Sequence, residues 1–101
     1  MKGKYLDLKK AIRFSRGGIV SKVLTKGGRI EATLFCMARG TAMSEHTSSR
    51  EAHILVLKGN GVFTLAGKPL KMAPGVHIMM KPGTRHALKA TGNLAFMLLL
   101  G

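Results

Sequence analysis

The sequence predicts an all-β protein, a small antiparallel β-barrel or jelly roll. Many short apolar runs lie close together along the chain, glycine-rich corners separate them, and no stretch keeps a helical period. At 101 residues the chain is one domain, residues 1–101, with enough length for a single core.

Residues 5–12 are the least regular and read as either a short helical turn or an entering strand. After Gly17-Gly18, residues 19–25 form an apolar strand, and the turn Lys26-Gly27-Gly28 leads into residues 30–38. There Ile30, Ala32, Leu34 and Cys36 alternate with Glu31, Thr33, Phe35 and Met37, so the two segments read as a hairpin. His53-Ile-Leu-Val-Leu57 is continuously apolar, as in a strand buried on both sides or facing a second sheet. Gly59-Asn60-Gly61 turns into residues 62–65, and residues 66–69 turn into 70–72. Ala73-Pro74-Gly75 makes a further corner before strands at 76–80, 86–90 and 94–100.

Hydrophobic residues make up 46% of the chain, which excludes disorder by composition. There is no tryptophan, and seven methionines supply adaptable filling in place of aromatics. The lone Cys36 cannot form an internal disulfide, which points to a reducing compartment, the cytoplasm; mid-strand, it reads as a small buried side chain. The start, Met1-Lys2-Gly3-Lys4, has no apolar core behind it and does not read as a secretory signal. The apolar run at 94–100 falls far short of the about 20 residues that span a bilayer, so no membrane partner is expected.

Seventeen Lys and Arg face four acids, a net charge of +13 that draws anions of every size. Nine of these bases lie in the first 29 residues, against the single acid Asp7. They are spread through strand-like segments with little aromatic interleaving. Base-stacking platforms are therefore absent from the pattern, and specific nucleic-acid binding is not expected.

Two segments carry the chemistry: Gly40-Thr-Ala-Met-Ser-Glu-His46 running on to Lys58-Gly59, and Gly75-Val-His-Ile-Met-Met-Lys-Pro-Gly-Thr-Arg-His86. Both resemble the two motifs of the cupin superfamily, and the chain is similar to a small single-domain cupin over nearly its whole length. In the first motif Gly40, His46 and Gly59 stand in their places, but Ser48 replaces the second histidine and Ala52 the glutamate. In the second, Gly75, Gly83 and His86 match, while Lys81 replaces the proline and Ala90 the asparagine. The first motif is degraded and the second fairly well kept. The fold this implies is the double-stranded β-helix of cupins.

In cupins with all four motif residues, three histidines and a glutamate hold a divalent metal inside the barrel. Here His46 and His86 remain. Two imidazoles ligate Zn, Fe, Ni, Cu or Mn, though two protein ligands hold such an ion weakly. Glu51, one position from the motif acid, is a candidate third donor, and His53 is its rival. Strand alternation sets the terms: if Ala52 points inward, Glu51 and His53 point away. With no ion, the two histidines would hydrogen-bond to each other, to Ser48 or to water.

His77 and Met79 share one face of their strand and are candidates to line the ligand site beside Ser48. Arg50, Lys81 and Arg85 are expected as cations near its mouth, where an arginine would grip a carboxylate bidentately. Nucleophilic catalysis is poorly supported, because no Asp lies near His46 and no Gly-x-Ser-x-Gly elbow is present. The expected function is binding of a small, anionic molecule in the barrel interior, with a divalent metal at His46 and His86 as an added possibility. The alternative is a metal-dependent cupin enzyme of oxygenase, isomerase or decarboxylase type, and a basic nucleic-acid binder ranks below both. The resemblance also implies a homodimer, since small cupins often pair through outer strands.

Overall fold

The computed structural model describes residues 3–25 and 27–101. One short helix, α1 (Leu8–Ala11), precedes nine strands: β1 (Ile19–Val23), β2 (Glu31–Met37), β3 (Ala42–His46), β4 (Ala52–Lys58), β5 (Gly61–Leu65), β6 (Lys68–Met72), β7 (His77–Met80), β8 (His86–Ala90) and β9 (Leu94–Leu100). They form two sheets, in the orders β1-β2-β9-β4-β7 and β3-β8-β5-β6. Every pairing is antiparallel. The all-β jelly roll read from the sequence is the fold observed.

The chain passes repeatedly from one sheet to the other, and each crossing seats apolar side chains in the space between them. Met37, Ile54, Val56, Phe63, Met72, Ile78, Met80, Leu88, Leu94 and Phe96 fill that space, all buried. Phe35 stacks on Phe96 with ring centroids 5.3 Å apart. At roughly 1.5–3 kcal/mol for each fully buried large side chain, this layer is the dominant favourable term in folding.

The five-stranded sheet is also covered on its outer side. Ala32, Leu34 and Cys36 of β2 and Ala95 and Met97 of β9 pack there against Leu8, Ala11, Ile12 and Phe14 of the N-terminal arm. β2 is therefore covered on both faces along its second half, where Phe35 and Met37 face the inner layer and Leu34 and Cys36 the arm, while Glu31 at its start is exposed. Residues 8–11 take the helical option, capped by the Asp7 carboxylate, which accepts from the Lys9 N–H at 3.0 Å. Cys36 is buried, as its mid-strand position indicated. Within the 26–28 turn, Lys26 lies outside the described residues, and Gly27 and Gly28 both take positive φ.

One strand is not apparent in the sequence. β3 reads Ala-Met-Ser-Glu-His, with four of its five residues exposed, and its ladder to β8 is broken by a bulge between Met43 and His46. It is an edge strand without a periodic apolar face, so nothing in its pattern separates it from a loop. Among the described residues no helix is long and apolar enough to cross a membrane.

The corner at Gly59 is the tightest in the molecule. Gly59 has φ +88, and a Cβ there would lie 1.7 Å from the Asn93 carbonyl oxygen. Gly75 has φ +91 but open space around its Cβ position. Gly75→Ala should therefore cost only the left-handed backbone penalty, about 1–2 kcal/mol. Gly59→Ala should cost at least about twice that, because backbone must move as well. Urea melts of the two variants, compared at equal m-value, measure the difference.

Candidate functional site

His46 ends β3 and His86 begins β8, and the two are register partners across the ladder. Their rings meet edge to face, with centroids 4.1 Å apart. The forty positions between them are spanned by the sheet, as the sequence reading required. His86 is 7% exposed and is the one buried polar or charged side chain among the described residues. It lies on the inner face of β8, two positions before the buried Leu88, and stacks on Phe63 with centroids 5.8 Å apart and planes within 6°. His46 is exposed. One imidazole is thus bedded in the core and the other opens to solvent.

Both rings have their tautomer fixed by the backbone. His46 Nδ1–H donates to the Ser44 carbonyl at 2.7 Å, and His86 Nδ1–H donates to the Thr84 carbonyl at 2.9 Å. With each Nδ1 proton committed, each Nε2 presents a lone pair. The loop before His86 is held by three contacts. Gly83 N–H donates to the Ser48 carbonyl at 2.8 Å, while the Thr84 N–H and hydroxyl both donate to the Lys81 carbonyl, at 3.2 and 2.8 Å.

A third donor does not join them. Ala52, Ile54 and Val56 point inward from β4, so Glu51 and His53 leave on the outer face, and the expectation that either completes an inner metal site is corrected. Among the described residues no group of three or more His, Cys, Asp or Glu converges as a metal site. Ser48 Oγ accepts from the Arg50 N–H at 3.1 Å, closing a local turn. As donors, His46 and His86 fit an open, weakly held ion, with Ser48 and the 2%-exposed Ala52 standing where stronger ligands would be.

The other candidates are also redistributed. His77 and Met79 lie on the outer face of β7, since Ile78 and Met80 are the inward pair, so neither lines the barrel. There His53 Nδ1 and His77 Nε2 are 2.9 Å apart, and His53 Nε2 meets Glu51 Oε2 at 2.9 Å. Arg50 is no ligand clamp either, because its guanidinium is used within the fold. It pairs with Glu31 at 3.0 Å and donates to the carbonyls of Arg29, Leu100 and Gly101. Arg85 remains at the rim, 3.9 Å from Glu45, with both side chains largely exposed. Sequence reasoning missed Phe63 as the bed of His86 and the Ser44 and Thr84 carbonyls as tautomer locks. Phe63 carries no polar signal, and a carbonyl two residues back has no side-chain signature at all.

A family model described as "Cupin domain" matches residues 33–100, more than half of the chain. The chain belongs to the cupin family. No curated protein matches this cupin significantly. Among solved structures it is similar to a conserved protein of unknown function from Streptococcus pyogenes, at 25% identity and TM-score 0.87, covering 99% of this chain and 88% of that one. A cupin superfamily protein from Desulfitobacterium hafniense matches at 22% identity and TM-score 0.88, over 99% and 92%. The DMSP lyase DddQ from Ruegeria pomeroyi matches at 22% identity and TM-score 0.73, over 81% of this chain and 46% of that one. At these last two identities the likeness concerns the fold alone.

The contacts of Arg50 generate a prediction. Arg50→Ala should lower stability by about 1.5–3 kcal/mol, the scale of hydrogen bonds to a charged donor. The ring signals of His46 and His86 should be unchanged, since neither contacts Arg50. A thermal melt alongside NMR spectra of the two histidines tests both halves.

Proposed function

We propose that this cupin binds a small anionic molecule at the His46–His86 pair, and that a divalent ion held by the two Nε2 atoms takes part when present. The observation that carries the reading is the pair of Nδ1–H donations to Ser44 and Thr84, which leaves two adjacent Nε2 acceptors at one end of the inner face. Such a pair accepts a hydrogen bond from a protonated ligand group or ligates a metal. Such a metal would act as a Lewis acid toward a ligand oxygen. His86, bedded on Phe63, would fix the position of the ligand, and solvent-exposed His46 would meet it at the entrance.

An anionic ligand is supported by the charge of the chain. Thirteen net positive charges raise the local concentration of anions. Arg85 adds a guanidinium one residue from His86, held only by a 3.9 Å contact to Glu45 and so available to a carboxylate. A homodimer through β1 is part of the same proposal. β1 is a sheet edge with all five residues exposed, and Ile19, Val20 and Val23 offer apolar contact there. The unpaired Cys36 supports a reducing, cytoplasmic setting.

The test uses untagged protein in which His53 and His77 are replaced by alanine, so that the inner pair alone is read. Equilibrium dialysis against zinc, manganese, nickel or ferrous ion should give weak binding of one ion per chain, lost in His46→Ala/His86→Ala. Equal uptake with and without the inner histidines would refute the metal part. Ser48→His/Ala52→Glu restores the motif donors and should tighten zinc at least about tenfold, because it takes the site from two protein ligands to four.

For the ligand, titration with small hydroxycarboxylates, whose hydroxyl can donate to an Nε2 while the carboxylate meets Arg85, should move the His46 and His86 ring signals. Arg85→Ala should weaken that binding about two- to fivefold, the scale of one exposed charge interaction. No loss in Arg85→Ala would remove the arginine from the site.

A further inference from the structure

We infer a second metal site on the outer wall of the barrel, where His53 Nδ1 and His77 Nε2 hold a copper ion and Glu51 backs His53. β4 and β7 are paired so that His53 faces Met79 and Leu55 faces His77. The two histidines are therefore diagonal neighbours on one face. Their rings are stacked with centroids 5.1 Å apart and planes within 11°.

The geometry is close to that of a chelate. Two nitrogen ligands at about 2.0–2.1 Å from a metal, placed at a right angle, stand about 2.9 Å apart. The nitrogens of His53 and His77 are already 2.9 Å apart, sharing a proton. Turning each ring by about 45° would aim both lone pairs at one ion in place of that proton, with the nitrogen spacing unchanged. Glu51 sets the tautomer that this needs. Its Oε2 accepts from His53 Nε2–H at 2.9 Å, which leaves His53 Nδ1 unprotonated, and a carboxylate behind an imidazole raises its basicity as a ligand. On binding, the proton of His77 Nε2 moves to Nδ1 of the same ring through solvent, so neutral His77 keeps its proton count.

Copper is favoured for two reasons. It heads the divalent series for nitrogen sites, and thioethers select its reduced form. Met79, the register partner of His53, is on the same face and 56% exposed, which makes its sulfur the available third donor. Glu51 stands behind His53 and not beside the ion, which agrees with the lack of any converging set of three His, Cys, Asp or Glu among the described residues. This site is independent of the inner pair, because the inward Ala52 and Ile54 put the wall of β4 between them.

The test is a copper(II) titration of untagged His46→Ala/His86→Ala protein, followed by calorimetry and electron paramagnetic resonance. We expect one copper per chain with the hyperfine signature of two imidazole nitrogens. His53→Ala or His77→Ala should each weaken binding at least about 100-fold and abolish that signature. Glu51→Gln should weaken it about 10- to 100-fold while keeping both nitrogens. Met79→Leu should leave copper(II) nearly unchanged and weaken copper(I) at least about tenfold. Circular dichroism checks that each variant is folded; positions 51, 53, 77 and 79 are exposed or half-exposed, and because His86 is buried the same four substitutions are also read in the otherwise unchanged chain. Unchanged copper affinity in His53→Ala/His77→Ala would overturn the inference, as would loss of the two-nitrogen signature in the His46→Ala/His86→Ala background.

Discussion

β4 is gripped on both edges, by β9 over Ala52 to Lys58 and by β7 over Ala52 to Leu55. This double pairing leaves its register no freedom, and register decides which side chains see the interior. A slip of one residue would bring Glu51, His53 and Leu55 inward and turn Ala52, Ile54 and Val56 out. It would place a carboxylate and an imidazole in a core that now holds Ile54 and Val56 at 2% exposure or less. Burying such groups without partners costs several kcal/mol each, so the apolar register wins. The inner site is left with two histidines because packing takes the place that a third donor would need.

The same constraint shapes the two histidine pairs differently. His46 and His86 sit where two strands meet at a bulge, and their protons go to backbone carbonyls, which cannot titrate. His53 and His77 lie on a regular ladder, and their protons are shared between side chains and a carboxylate. The first arrangement fixes two acceptors for a guest. The second is a chain in which each partner's tautomer depends on the next, so replacing one member changes the proton positions of the others. Phe63 adds a further difference, since it holds the His86 ring against the core, whereas His53 and His77 have only each other to stack on.

Much of the fold was legible in the sequence because its signals are local. Glycine corners, alternating apolar runs and two spaced motifs are properties of short segments, and they located eight of the nine strands (all but β3) and the two inner histidines. β3 escaped because an edge strand with a bulge has no apolar period to read. The placement of Glu51 and His53 was readable only as a condition on Ala52, and pairing across strands distant in sequence resolved it. Arg50 illustrates the limit best. Its proximity in sequence to His46 and Glu51 suggested a ligand clamp, yet its guanidinium closes the end of β9 and the start of β2, contacts that span up to 51 positions. No local pattern encodes that.

The +13 charge follows from the same accounting of partners. All four acids of the chain are committed: Asp7 caps α1, Glu31 holds Arg50, Glu45 meets Arg85 and Glu51 receives His53. Asp7 caps the start of α1, Glu31 ties the start of β2 to Arg50 and Glu51 anchors the His53–His77 pair, whereas Glu45 makes only a long, exposed contact. With seventeen bases to four acids, most cations of the chain go without a carboxylate of their own and repel one another. The compact state therefore carries an unfavourable electrostatic term, which the apolar layer between the sheets and the covered outer face of β2 and β9 must exceed. Counter-anions relieve that term wherever they gather, and salt screens it within about 10 Å at 0.1 M. Excess positive charge is thus a property of the whole surface of this cupin, whereas the two Nε2 acceptors are a local feature, one bedded against Phe63 and one open to solvent.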